Sequence, residues 1–129
     1  MLAVAVFTVS AAWAFLRWKP FRVEIVGGSM RPALEPGEWA LAVSSSTFRR
    51  GDVVVLEHPE RPGFDLVKRV TGVPGDLTPD GRILEADAFW VEGDADASTD
   101  SRAFGPVPRS ALAGRLRLVY FPFDRRRLL

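Results

Sequence analysis

From residue 21 onward the chain is cut into short apolar runs by Pro36-Gly37, Pro62-Gly63, Pro74-Gly75 and Asp80-Gly81. Pro-Gly and Asp-Gly pairs favour turns, because proline presets the backbone and glycine takes conformations that other residues resist. The runs between them are rich in β-branched and aromatic residues, and none sustains a helical period. The spacing predicts strands over residues 21–26, 39–43, 52–56, 65–73, 89–92 and 112–121. The expected fold is therefore all-β, a compact and mostly antiparallel sheet domain, followed by a poorly ordered basic tail around Arg125, Arg126 and Arg127.

Ahead of this pattern, residues 1–16 carry no charged side chain, and the run stops at Arg17-Trp18-Lys19-Pro20. As a helix it would cover roughly 24 Å at 1.5 Å per residue, somewhat short of a hydrocarbon core of about 30 Å. Trp13 and Trp18 suit an interface, and Arg17 and Lys19 can snorkel, so the segment is expected to be a short single-pass anchor in membrane lipid. A cleaved signal peptide fits less well, because no basic region precedes the apolar run. The domain plan is an N-terminal transmembrane helix over 1–17 and a β-rich domain with the basic tail over 18–129. Arg17, Lys19 and Arg22 all follow the span, which by the positive-inside rule leaves the domain in the cytoplasm.

Composition removes several chemistries. The 129 residues carry a formal net charge of +1, which argues against nucleic acid as a partner. With no cysteine and one histidine, a thiol nucleophile and Cys- or His-rich metal sites are excluded. No cofactor is implied. His58 lies in the turn-like stretch Leu56-Glu57-His58-Pro59 and reads as an exposed loop residue. Without a G-x-S-x-G elbow, a Ser-His-Asp hydrolase has little support.

Three stretches suit chemistry. In Gly27-Gly28-Ser29-Met30-Arg31-Pro32, two glycines allow close backbone approach, so Ser29 can be presented with its own N–H facing a reacting oxygen. On a strand through Asp65-Leu66-Val67-Lys68-Arg69-Val70, Lys68 shares its face with Leu66 and Val70. Apolar neighbours desolvate an ammonium and lower its pKa, as a lysine base requires. Taken singly, each has a bland alternative: a simple turn, or a lysine whose stem lies on apolar surface. The third stretch, Gly93-Asp94-Ala95-Asp96-Ala97-Ser98-Thr99-Asp100-Ser101-Arg102, reads as a self-bonded loop. A calcium loop through Asp94, Asp96, Thr99 and Asp100 lacks EF-hand spacing and the bidentate glutamate.

Together and in this order, GGSMRP, KRVTGVPGD and GDADASTDSR resemble the serine, lysine and GD…SxDSR boxes of the type I signal peptidases, over residues 23–114. The resemblance implies a signal-peptidase-like β-rich domain and a serine endopeptidase that removes signal peptides or pro-segments from precursor proteins. It makes Ser29 the nucleophile and Lys68 the general base, with Ser98 orienting the lysine. Asp100 and Arg102 would form a structural ion pair, and Arg69 would be structural. Gly27, Gly28 and Met30 complete the serine box. Gly27 stands where many bacterial members carry a hydroxyl residue, and Ala95 where the third box usually has asparagine. By family resemblance the domain faces out of the cytoplasm, opposite to the charge rule. The short chain and the ASTDSR-x-FGPVP run also resemble the small proteases proposed to mature nickel-containing superoxide dismutase, whose substrate is cytosolic. Two further readings are a self-cleaving module like the SOS repressors, which needs a cleavable segment upstream of the serine, and a non-catalytic membrane-tethered β module.

Overall fold

In a computed structural model, described for residues 19–129, the chain forms one antiparallel sheet with very little helix. The strands are β1 (Phe21–Glu24), β2 (Trp39–Val43), β3 (Val53–Glu57), β4 (Asp65–Gly72), β5 (Ala88–Glu92), β6 (Val107–Pro108), β7 (Leu112–Phe121) and β8 (Arg127–Leu128). They lie in the order β1-β2-β7-β3-β4-β5-β6, with β8 on β7. The expected all-β class is what forms. The segment 1–17, expected to be an anchor, lies outside the described residues up to its last position and beyond; among the described residues no helix is long and apolar enough to cross a membrane.

The core has two parts because the central strand is apolar on both faces. Val53 and Val55 of β3 join Ile25, Met30, Leu34, Leu116 and Val119, whereas Val54 and Leu56 join Val70, Val91, Val107 and Leu112. An uninterrupted Val-Val-Val-Leu run is the pattern of a strand buried on both sides. Burying each such side chain contributes about 1.5–3 kcal/mol. This double burial also sets the register of β3 on β4, which places Lys68 opposite Val54.

Three features depart from the sequence reading. β1 ends at Glu24, two residues early: Ile25 continues with hydrogen bonds to Glu38 and Gly37, and Gly27 at φ +79° then turns the chain. His58 is buried, its Nδ1 accepting from the Glu60 N–H at 3.0 Å and its ring packed against Phe64 and Phe104. The basic C-terminus is ordered into β8, with Arg127 bonded to Glu38 and to the Ala33 carbonyl.

Candidate active site

Ser29 sits in the turn that leaves β1, where Gly27 supplies the positive φ that a side chain would resist. The turn closes on itself through Arg31 N–H to Gly28 O (3.1 Å) and Leu34 N–H to Met30 O (2.9 Å). Met30, 2% exposed, pins it into the first core. The Ser29 carbonyl accepts from the Ala95 N–H at 2.9 Å, whereas the Ser29 N–H has no hydrogen-bond partner among the described residues. Serine box and third box thus touch through the backbone.

Lys68 is 3% exposed, between Leu66 and Val70 of the second core on its own face of β4. Its Nζ donates to Ser98 Oγ at 2.9 Å, and that hydroxyl donates to Asp100 Oδ2 at 2.9 Å. Burial pushes the Lys68 amine below the usual lysine range; the Asp100 carboxylate pulls it back up, and the Arg102 guanidinium adds to the lowering. Desolvation wins because Asp100 is already neutralised by that guanidinium, at 2.6 and 3.0 Å. Asp100 is itself fully buried. Burial alone would raise its pKa, but Arg102, the Gly93 and Arg102 N–H groups and the Ser98 hydroxyl hold it at about 2.

Arg69 points the other way, as strand alternation requires. It grips Asp94 with two bonds of 2.9 Å and reaches the Gly51 carbonyl at 2.8 Å, tying the loop that delivers Ser98 to the sheet. The cation acting on Lys68 is therefore Arg102 and not its sequence neighbour. Asp94 and Asp100 are both engaged by arginines, and among the described residues no group of acidic or histidine side chains has metal-binding geometry.

A groove of about 360 Å³ opens between residues 24–30 and 63–68, and Ser29, Met30 and Lys68 all line it. No hydrogen bond joins Ser29 to Lys68. Exposed Val26 and Phe64 form its apolar lips. A larger hollow of about 860 Å³, bounded by residues such as Ser45, Arg115 and Leu128, contains none of the three boxes.

Gly93 is the residue whose role sequence reasoning missed. A Cβ built there would lie 2.2 Å from Ser98 Oγ and 2.7 Å from the Ser29 carbonyl oxygen. Glycine is thus what lets the third box approach both the serine turn and the lysine's partner. The sequence signal was its place in the box, without the steric reason.

The model of the family described as "Signal peptidase, peptidase S26" matches residues 1–79 and 77–121. This chain belongs to the type I signal peptidase family. Relatives include mitochondrial inner membrane protease subunit 1 of Xenopus tropicalis, 32% identical over 112 residues, which cover 76% of this chain and 67% of the relative. Subunit 2 from Schizosaccharomyces pombe is 35% identical over 122 residues, covering 78% and 64%. The mitochondrial ATP-independent inner membrane protease subunit 1a of Arabidopsis thaliana is 40% identical over 113 residues, covering 74% and 67%. The chain thus spans about two thirds of the length of these relatives. The matched residues include Ser29, Lys68 and Ser98.

Proposed function

We propose that this member of the signal peptidase family is a membrane-anchored serine endopeptidase that cleaves signal peptides or pro-segments from precursor proteins, with Ser29 as nucleophile and Lys68 as general base. The observation that carries the reading is the buried Lys68 amine, held by Ser98 and opening on the groove that Ser29 also lines. A neutral amine that donates one hydrogen to Ser98 keeps its lone pair for another proton.

In this reading an extended precursor segment lies between the apolar lips. Lys68 Nζ takes the proton of Ser29 Oγ as the oxygen attacks the scissile carbonyl carbon, and the oxyanion forms toward the free Ser29 N–H. The Lys68 ammonium then protonates the departing amine nitrogen, the C–N bond breaks, and an ester to Ser29 remains. Lys68 next takes a proton from water, whose oxygen attacks the ester and releases the carboxylate product; the proton returns to Ser29 Oγ. Positioned general-base catalysis of this kind contributes about 10²–10⁴-fold.

The test is hydrolysis of a precursor peptide with small residues at the cleavage site. Ser29→Ala and Lys68→Ala should each abolish nearly all turnover, and the double variant should be little worse than either, as for residues acting as a unit. Substantial turnover by Ser29→Ala ends the reading. The positive charges after the apolar segment favour a second version, a maturation protease facing the cytoplasm and serving one dedicated precursor. Protection of a C-terminal tag from added protease in sealed vesicles decides the orientation.

A further inference from the structure

Glu38 is a buried acid that the proposed chemistry does not use, with 0% exposure. Its Oε1 accepts from the Glu35 N–H at 2.6 Å and from Arg127 Nη2 at 3.0 Å; its Oε2 accepts from Arg127 Nη1 at 2.7 Å. Arg125 Nε stands 3.6 Å from Oε2. Arg127 Nη2 also donates to the Ala33 carbonyl at 2.5 Å, and its Nη1 to the Arg125 carbonyl at 2.7 Å. One guanidinium from the chain's C-terminal strand, 89 positions from Glu38, therefore closes the turn that begins at Ser29.

The turn is built to pass that contact on. Ala33 lies between Met30 and Leu34, whose backbones are bonded at 2.9 Å and whose side chains are both buried in the first core. Gly28 and Arg31 are joined in the same way at 3.1 Å. Beyond the turn, the Glu38 carbonyl accepts from the Ile25 N–H at 2.8 Å, and Gly37 N–H donates to the Ile25 carbonyl at 2.9 Å, so both ends are held to the segment entering Ser29. Loosening Ala33 and Glu35 leaves the far side of this short loop without its anchor.

We propose that Arg127 is a positioning residue for the nucleophile: β8 latches the Ser29 turn through Glu38 and the Ala33 carbonyl, so the C-terminus helps set how productively Ser29 is presented. The inference rests on the Ser29/Lys68 reading. A planar guanidinium can meet two carboxylate oxygens and a carbonyl at once, whereas a lysine ammonium cannot reproduce that fork. Arg127→Lys keeps the charge and loses the latch.

The experiment uses the full chain. For wild type, Arg127→Lys and Arg127→Met, it measures kcat and KM on the precursor peptide, the rate of Ser29 labelling by a fluorophosphonate, and hydrogen exchange of the amides over residues 29–37. Both variants should lose kcat and labelling rate by on the order of 10–100-fold, as a nucleophile misplaced by up to about 1 Å would. KM should change less than kcat, because no groove-lining side chain is replaced, the pH of the activity limb should hold, because Lys68 keeps its surroundings, and turn amides should exchange faster. Arg50→Ala, which breaks the exposed ion pair to Asp76, should leave every readout unchanged. If a stranded Glu38 unfolds the single variants, Glu38→Gln with Arg127→Met removes both charges of the pair, the buried carboxylate included, and should fold while keeping the kcat deficit. A folded variant with wild-type kcat, or with unchanged exchange over the turn, overturns the latch. Wild-type protein that fluorophosphonate does not label at Ser29 overturns the dyad instead, and the exchange data still decide whether Arg127 holds the turn.

Discussion

Gly93→Ala adds one methyl group at the point where the three boxes meet. Its Cβ would lie 2.2 Å from Ser98 Oγ, 2.7 Å from Ser98 Cβ and 2.7 Å from the Ser29 carbonyl oxygen, against the 3.4 Å at which ordinary contact begins. Ser98 Oγ must then shift by about 1.2 Å, the difference between 3.4 and 2.2 Å. Rotating Ser98 does not relieve its Cβ, and the Ser29 carbonyl is backbone held by Ala95. Overpacking of this kind costs about 1–3 kcal/mol. Losing the hydrogen bonds to Lys68 and Asp100 adds about 0.5–1.5 kcal/mol each. The sum, about 2–6 kcal/mol, should lower Tm by about 8–24 °C, at roughly 4 °C per kcal/mol for a domain near this size. A base misplaced by about 1 Å should lower kcat about 100-fold in protein that remains folded at the assay temperature. Calorimetry and steady-state kinetics on the same preparation read both. Ser98→Ala removes the hydroxyl without crowding and should lower kcat with a smaller fall in Tm. If Gly93→Ala keeps kcat within about threefold of wild type, Ser98 does not position the lysine and the geometric argument fails.

The remaining predictions concern pH. Because burial lowers the Lys68 pKa, kcat/KM should rise with pH through a group titrating below the ordinary lysine value of about 10.4, and Lys68→Arg should be inactive; a profile with the limb of an ordinary solvated lysine would refute the assignment. Asp100, held at about 2 against 3.8 unfolded, has a depressed folded pKa, so its stabilisation is complete above about pH 5 and is lost as pH falls through about 2. The difference corresponds to about 2 kcal/mol, and Asp100→Asn should flatten the denaturation midpoint across that window; an unchanged slope would refute the assignment.

Strand existence and order of chemistry were legible without coordinates, because both depend on local pattern. Proline-glycine turns and β-branched runs place β2 and β7 at their observed ends, and three short boxes carry the family resemblance. The two-residue strands β6 and β8 were not legible. Each has too few residues for a period, and Val107-Pro108 pairs only because β5 lies alongside. His58 looked like a loop histidine, since nothing nearby in the chain announces Phe104.

What the sequence determined alone is which groups are available: one serine after two glycines, one lysine among aliphatic residues, and arginines able to meet Asp94 and Asp100. What only the tertiary structure decided is which of them meet. Arg102 and not Arg69 acts on Lys68, because alternation along β4 sends adjacent side chains to opposite faces. Gly93 is confined by atoms from two distant segments, and Arg127 reaches Glu38 across the fold. Contacts between residues far apart in the chain are set by strand register and sheet order, and those follow from burying apolar faces throughout the domain.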